Sequence, residues 1–200
     1  MEVEISGGFL LLAAFLYYMD TDGLLLWVGA ACVLHELGHY CALRLCGGRV
    51  TLLRLTCVGA EMRLAHGGPQ GRWARMAVAL AGPGVNLLLA FGAVQAGEKA
   101  YLFAGLNLGL ALFNLLPVSG LDGGRALAVL LAGRRWEGLD RALSTGLSLG
   151  VTFSGLWLMG KTRNPTLLLT GSWLFVHAIT GEKRSFSVKF PCNRTEGVVH

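Results

Sequence analysis

The sequence predicts an all-α membrane protein with about six transmembrane helices, a broken fourth span and a small membrane-edge β-hairpin. Three observations lead there. Hydrophobic residues make up 54% of the 200 residues and charged residues only 14%, whereas a soluble domain carries about 25% charge. The mean hydropathy is +0.56. Apolar runs of near-spanning length recur along the whole chain, and the basic residues gather in alternate breaks between them. Two hundred residues suit one domain. At about 20 residues per crossing, six crossings with short loops use most of that length. We therefore expect a single multi-pass domain over 1–200, with its core at 24–132.

The first run, 5–19, is expected to be a retained span. A cleaved signal needs a basic leading region, and no Lys or Arg precedes Arg44. The second run covers 24–46. After it, Arg49–Leu64 alternates apolar and polar residues in places, with Gly59 between the halves. It is too short and too charged to span, and reads as a hairpin at the membrane edge. The third run covers 76–96. The fourth, 101–132, is too long for a simple crossing and is interrupted by Pro117, Gly120, Gly123 and Gly124. Proline removes a backbone donor and clashes with the preceding turn. Broken helices at membrane depth persist where protein or a water-filled cavity satisfies the freed groups, so this break is a place to expect a site. The fifth and sixth runs cover 142–160 and 166–180, and 181–200 reads as a short cytoplasmic tail. Gly105 with Gly109, and Gly146 with Gly150, give the small-xxx-small spacing of close helix packing.

The charges orient these runs. The stretch 44–75, from the end of run two to the start of run three, holds Arg44, Arg49, Arg54, Arg63, Arg72 and Arg75. Arg125, Arg134, Arg135 and Arg141 lie around the next alternate break, and Lys183, Arg184, Lys189 and Arg194 in the tail. Those are 14 of the 17 basic residues. Because cytoplasmic loops gather Lys and Arg, these breaks and both termini are expected inside, in a cell membrane of bacterial cytoplasmic type. The same pattern accounts for the net charge of +5 without a nucleic-acid partner. Cys32, Cys41, Cys46, Cys57 and Cys192 form no CxxC pair. They read as small buried hydrophobes and not as a disulfide framework.

The acidic residues carry the chemistry. Of the twelve, all but Glu36 and Asp122 fall in breaks, tails or span ends. A charge inside the bilayer costs about 2.5–3.5 kcal/mol on insertion scales and marks function by default. His35-Glu36-Leu37-Gly38-His39 is HExxH. On a helix, positions four apart share a face, so two imidazoles can grip one zinc ion. Glu36, beside the first ligand, can take a proton from a water activated there. Catalytic zinc usually takes three protein ligands, and Asp122 is the natural third. His39 lies seven residues before the end of its span near Cys46, and Asp122 about ten before Ala132. At about 1.5 Å per residue these depths agree to roughly one turn. Asp122 also suits a helix N-cap after the Pro–Gly break, a position that still exposes one oxygen. His66, His177 and His200 are not read as ligands, although His177 lies within a span. A buried Asn114 just before a helix break can satisfy freed backbone groups, so structural and catalytic roles are both open for it.

HELGH at 35–39, with Asn114-Leu-Leu-Pro117-Val-Ser-Gly-Leu121-Asp122-Gly123-Gly124 in a later span, resembles the site-2 protease family of intramembrane zinc metalloproteases. Ala81-Gly82-Pro83-Gly84-Val85-Asn86 is similar to that family's third-span motif. The resemblance covers about 24–132 and is strongest to the compact branch of the stage IV sporulation protease FB. It implies one zinc per chain on His35, His39 and Asp122, a catalytic Glu36 as general base, and a catalytic and substrate-binding role for Asn114, with Pro117 beside it on the substrate. No PDZ or CBS domain is expected within 1–200. The activity implied is hydrolysis of peptide bonds in or next to transmembrane segments, as in regulated activation of a sporulation or stress transcription-factor precursor. The partners implied are a membrane-embedded or membrane-adjacent protein substrate and an inhibitory membrane protein. Two other classes compete: a membrane metal transporter, which predicts inverted repeats and gives Glu36 no task, and a non-cleaving pseudoprotease scaffold.

Overall fold

A computed structural model describes residues 2–56, 59–64, 69, 71–132, 139–162 and 166–180. His66, His200, Cys57, Cys192, Arg134, Arg135, the tail 181–200 and the side chain of His177 lie outside the described residues. The described chain is mostly helical, with a small three-stranded sheet. Its elements are β1 (Glu2–Ile5), α1 (Gly7–Met19), α2 (Leu24–Leu45), β2 (Val50–Thr56), β3 (Gly59–Leu64), α3 (Arg72–Gln95), a 3-10 turn at Glu98–Ala100, α4 (Tyr101–Asn114), α5 (Asp122–Leu131), α6 (Leu139–Thr162) and α7 (Thr166–Thr180).

Among the described residues, three helices are long and apolar enough to cross a bilayer: α2, α3 and the Arg141–Lys161 part of α6. At 13 residues, α1 is about 20 Å long, short of a hydrocarbon core of about 30 Å. α7 is also short and apolar. The lipid reading rests on the outer faces. Leu26, Leu88 and Phe91 are 78%, 73% and 71% exposed, forming apolar surface of a kind that water-soluble monomers rarely show. Lys161 lies over the Trp157 ring at 4.1 Å, a pairing typical of a span end. Asp20 starts α2, its two oxygens accepting the Leu24 and Leu25 amides at 2.8 Å each.

The expected hairpin is present but is part of a larger sheet. β2 pairs antiparallel with β3 and parallel with β1, in the order β1-β2-β3. Residues 2–5, adjoining the run read as a span from Ile5, thus belong to a strand, and Glu4 meets Arg54 at 3.1 Å. Alternating Glu-Val-Glu-Ile matches the strand period, a signal masked by the apolar run that follows.

The broken fourth span appears as α4 and α5. α4 ends at Asn114 with cap Leu115, and Pro117 follows where a helix cannot continue. The connection turns at Gly120, whose φ is 97°, a region that favours glycine. It then folds back on the start of α5. A Cβ on Gly123 would strike the Leu115 carbonyl, and one on Gly124 the Val118 carbonyl, so the paired glycines let the break lie against the helix it precedes. Val118 and Leu121 in the break pack on Leu174 of α7, with Phe113 and Leu116 beside them. The Ser119 amide donates to the Ser144 hydroxyl of α6 at 2.7 Å. Protein thus covers the freed backbone, as membrane depth requires.

Close helix packing uses glycines other than those expected. Around Gly105, Gly109, Gly146 and Gly150, nothing lies within 4 Å of an added Cβ. Spacing alone does not say which face meets a neighbour. The tight contacts are Gly38 of α2, where a Cβ would lie 2.8 Å from Val85 Cγ2 and 2.9 Å from the Ala81 carbonyl, and Gly171 of α7, 2.6 Å from the Thr152 amide. Cys32 and Cys41 are exposed on α2 and Cys46 is half-buried. The expectation of buried cysteines is corrected for these three: in a bilayer an apolar thiol can face lipid instead of a core.

Candidate metal centre

The HExxH segment lies wholly within α2, so His35 and His39 stack one turn apart on its inner face. They are 6% and 3% exposed. Asp122, 3% exposed, enters as the first residue of α5. Leu121 occupies the cap position and forms no side-chain cap bond, so the N-cap alternative for Asp122 is set aside. Its carboxylate turns to the histidines instead. His35 Nε2, His39 Nε2 and Asp122 Oδ2 form a triangle with all three edges at 3.1 Å. Among the described residues, these three form the group able to hold a metal ion.

Proton bookkeeping shows what the triangle fits. His39 Nδ1 lies 2.7 Å from the Val78 carbonyl, which can only accept, so Nδ1 carries the hydrogen and Nε2 a lone pair. His35 Nδ1 lies 2.8 Å from Asn86 Oδ1, with the same result. Asp122 Oδ2 is a third acceptor. Three lone pairs converging at 3.1 Å repel one another unless a cation sits among them. Two nitrogens and one carboxylate oxygen are the donor set of a catalytic zinc site with one position left open. The residues present therefore fit zinc.

Room for the ion comes from α3. A Cβ on Gly82 would collide with His39 Nε2 and would lie 2.7 Å from His35 Nε2. The other oxygen of Asp122 is held by Arg125, with Nη1 3.0 Å from Oδ1, while Nη2 lies 3.4 Å from the Gly120 carbonyl. This leaves Oδ2 for the ion. Glu36 Oε2 is buried and meets no hydrogen-bond donor among the described residues. A carboxylate oxygen kept from donors is costly, which fits a group that handles a proton.

The structure brings His35, His39 and Asp122 together as the sequence predicts, with Glu36 beside them on α2. Asn114 is differently placed: it is half-buried at the end of α4, and its amide donates to the Leu110 carbonyl of its own helix at 2.9 Å. Pro117 is half-buried in the break. Asn107 carries no motif in the sequence, and Gly82 and Asn86 enter there only within the third-span motif. For the two asparagines a weaker signal of the same kind is available, because a buried amide inside an apolar run is costly unless it is hydrogen-bonded. Arg125 had been counted among the loop charges that orient the chain.

A buried two-histidine, one-carboxylate centre between apolar helices defines a membrane metalloprotein of the HExxH class. Residues 23–98 match the model of Peptidase family M50. It is similar to the Synechocystis sp. protein named "Putative zinc metalloprotease sll0528", with 33% identity over 136 residues, 60% of this chain and 35% of that protein. It is similar to the Mycobacterium tuberculosis protein named "Putative zinc metalloprotease Rip3", with 34% identity over 131 residues, 59% of this chain and 33% of that protein. The chain thus spans about a third of the length of these relatives. The fold is that of the site-2 protease from Methanocaldococcus jannaschii, with TM-score 0.64 at 20% identity over 89% of each chain.

Proposed function

We propose that this chain is an intramembrane zinc endopeptidase that hydrolyses peptide bonds in or next to the transmembrane segments of other proteins. One observation carries the reading: three buried acceptor atoms converge beside a glutamate oxygen that meets no donor among the described residues. His35, His39 and Asp122 would hold the zinc, which supplies Lewis-acid polarisation of a peptide carbonyl and makes water more acidic. Glu36 Oε2 accepts the proton of the attacking water and returns it to the leaving amine. Arg125 keeps Oδ1 of Asp122 occupied. Asn114 and Pro117, at the end of α4 and in the break, are the residues that would meet the substrate backbone.

A substrate helix must unwind to be cut, since helical amides are internally bonded. The sheet offers the unwound strand a template by edge addition. Because β1 covers one side of β2, β3 is the hairpin's outer strand among the described residues. The substrate class follows from the location of the centre among apolar helices: a membrane-embedded or membrane-adjacent chain. Activation of a sporulation or stress transcription-factor precursor, under an inhibitory membrane protein, is supported by motif resemblance to the compact sporulation branch. A multi-pass cytoplasmic-membrane location with both termini inside is supported by the basic breaks. It is also supported by β1, which puts residue 2 at the same end of the bundle as the Arg-rich hairpin.

The test is reconstitution. The purified chain in lipid discs should cleave a transmembrane peptide, lose that activity on chelation and regain it with zinc. Cleavage that persists after the metal is removed would refute the reading. A cell-based companion replaces 52–60 by a Gly–Ser run: zinc should be retained and cleavage lost, and full activity would sink the edge-addition step.

A further inference from the structure

We propose that Asn107 of α4 is a positioning residue for the metal site: through Asn86 of α3 it holds His35 in the ring orientation that turns Nε2 to the ion. The inference rests on the zinc reading above and adds to it a relay across three helices.

Asn86 and Asn107 are both fully buried, at 0% exposure. Buried amides in a membrane bundle are costly unless bonded, and here every assignment follows from a fixed end. The Phe103 carbonyl can only accept, so the atom of Asn107 at 2.8 Å from it is the amide nitrogen. Asn107 Oδ1 therefore faces Asn86, and only a donor can meet it there. Asn86 Nδ2 does so at 2.8 Å, and also reaches towards the Ala31 carbonyl at 3.4 Å. Asn86 is then bound to present Oδ1 to His35, at 2.8 Å from Nδ1. The His35 hydrogen goes to Nδ1, and Nε2 is left as a lone pair. His39 gets the same instruction in one step from the Val78 carbonyl. His35 has no backbone carbonyl in that role and receives it from two side chains.

Without Asn107, the Asn86 amide keeps only the 3.4 Å contact to Ala31 to tell its two ends apart. A flipped Asn86 would present NH2 to His35 and draw the hydrogen to Nε2, where it blocks the ion. Partners that orient metal-bound histidines are typically worth about 10–100-fold in metal affinity.

The experiment measures zinc affinity of the full chain in lipid discs by competition with a chelator, for wild type, Asn107→Leu and Asn107→Asp. A neutral carboxylic acid can replace the carboxamide, accepting from Asn86 and donating to Phe103, so the aspartate variant should bind zinc within a few-fold of wild type. The leucine variant should bind about tenfold or more weakly, with an unchanged melting temperature in chelator. Asn107→Ala, which adds no bulk, takes its place if the leucine variant does not fold. Asn86→Leu should weaken binding too, and the double variant should be no weaker than Asn86→Leu alone, since both act through one relay. Equal affinity in wild type and the Asn107 variants, or additive losses, would overturn the relay while leaving the zinc reading intact. Failure of the wild-type chain to bind zinc would overturn both.

Discussion

Gly82 faces His39 so closely that a Cβ at that position would overlap the ring at Nε2. The glycine of α3 is in effect one wall of the metal cavity. Gly82→Ala should therefore displace an imidazole and lower zinc affinity by about tenfold or more, measured by chelator competition. Gly84→Ala, two residues on with nothing within 4 Å, is the matched control and should bind as wild type. Equal behaviour of the two variants would show that this wall is not where the structure puts it.

Arg125 grips Asp122 Oδ1 at 3.0 Å. Removing the guanidinium frees that oxygen and leaves a buried carboxylate short of a partner. Arg125→Leu should weaken zinc binding by about 10–100-fold. Arg125→Lys should recover part of the loss, because an ammonium supplies the charge without the paired geometry. Titration of zinc into the two variants tests this; an Arg125→Leu chain with unchanged affinity would contradict it.

Asn114 bonds its own helix in this structure, so its expected effect is on substrate and not on metal. Asn114→Ala should keep zinc affinity and reduce kcat/KM by about tenfold or more, the loss of one substrate-directed amide with its backbone bond. A variant with lost zinc and intact turnover of the residual metal-loaded fraction would move Asn114 into the metal-binding set.

The parallel pairing of β1 with β2 fixes a topological relation. In a chain with its native cysteines replaced, Cys at position 2 and Cys at position 47 should react with an impermeant thiol reagent from the same side of the membrane. Cys at position 97, between α3 and α4, should react from the other. Labelling of positions 2 and 47 from opposite sides would break the pairing.

Much of this arrangement is legible in the sequence because the bilayer makes each polar residue expensive. Glu36 and Asp122 stand out among twelve acids for that reason alone, and α2 to α7 follow the apolar runs closely. What escapes is what depends on which faces meet. Gly105 and Gly146 carry the Gly-xxx-Gly spacing yet point into open space, whereas Gly38, Gly155 and Gly171, outside any such pair, make close contacts. β1 was hidden because four residues next to a long apolar run read as part of it. Arg125 was hidden because the orienting rule counts a basic residue without asking what it touches. Asn86 and Asn107 needed only the rule already applied to the acids, extended to neutral amides.

In the proposed reaction, Glu36 moves a proton beside a zinc held by His35, His39 and Asp122. The most direct test compares wild type with Glu36→Gln for zinc content and for cleavage of a co-expressed transmembrane substrate. Zinc should be retained at wild-type stoichiometry and cleavage reduced by at least about 10²–10⁴-fold, the span of a lost general base. Undiminished cleavage by the glutamine variant, with zinc still bound, would contradict it.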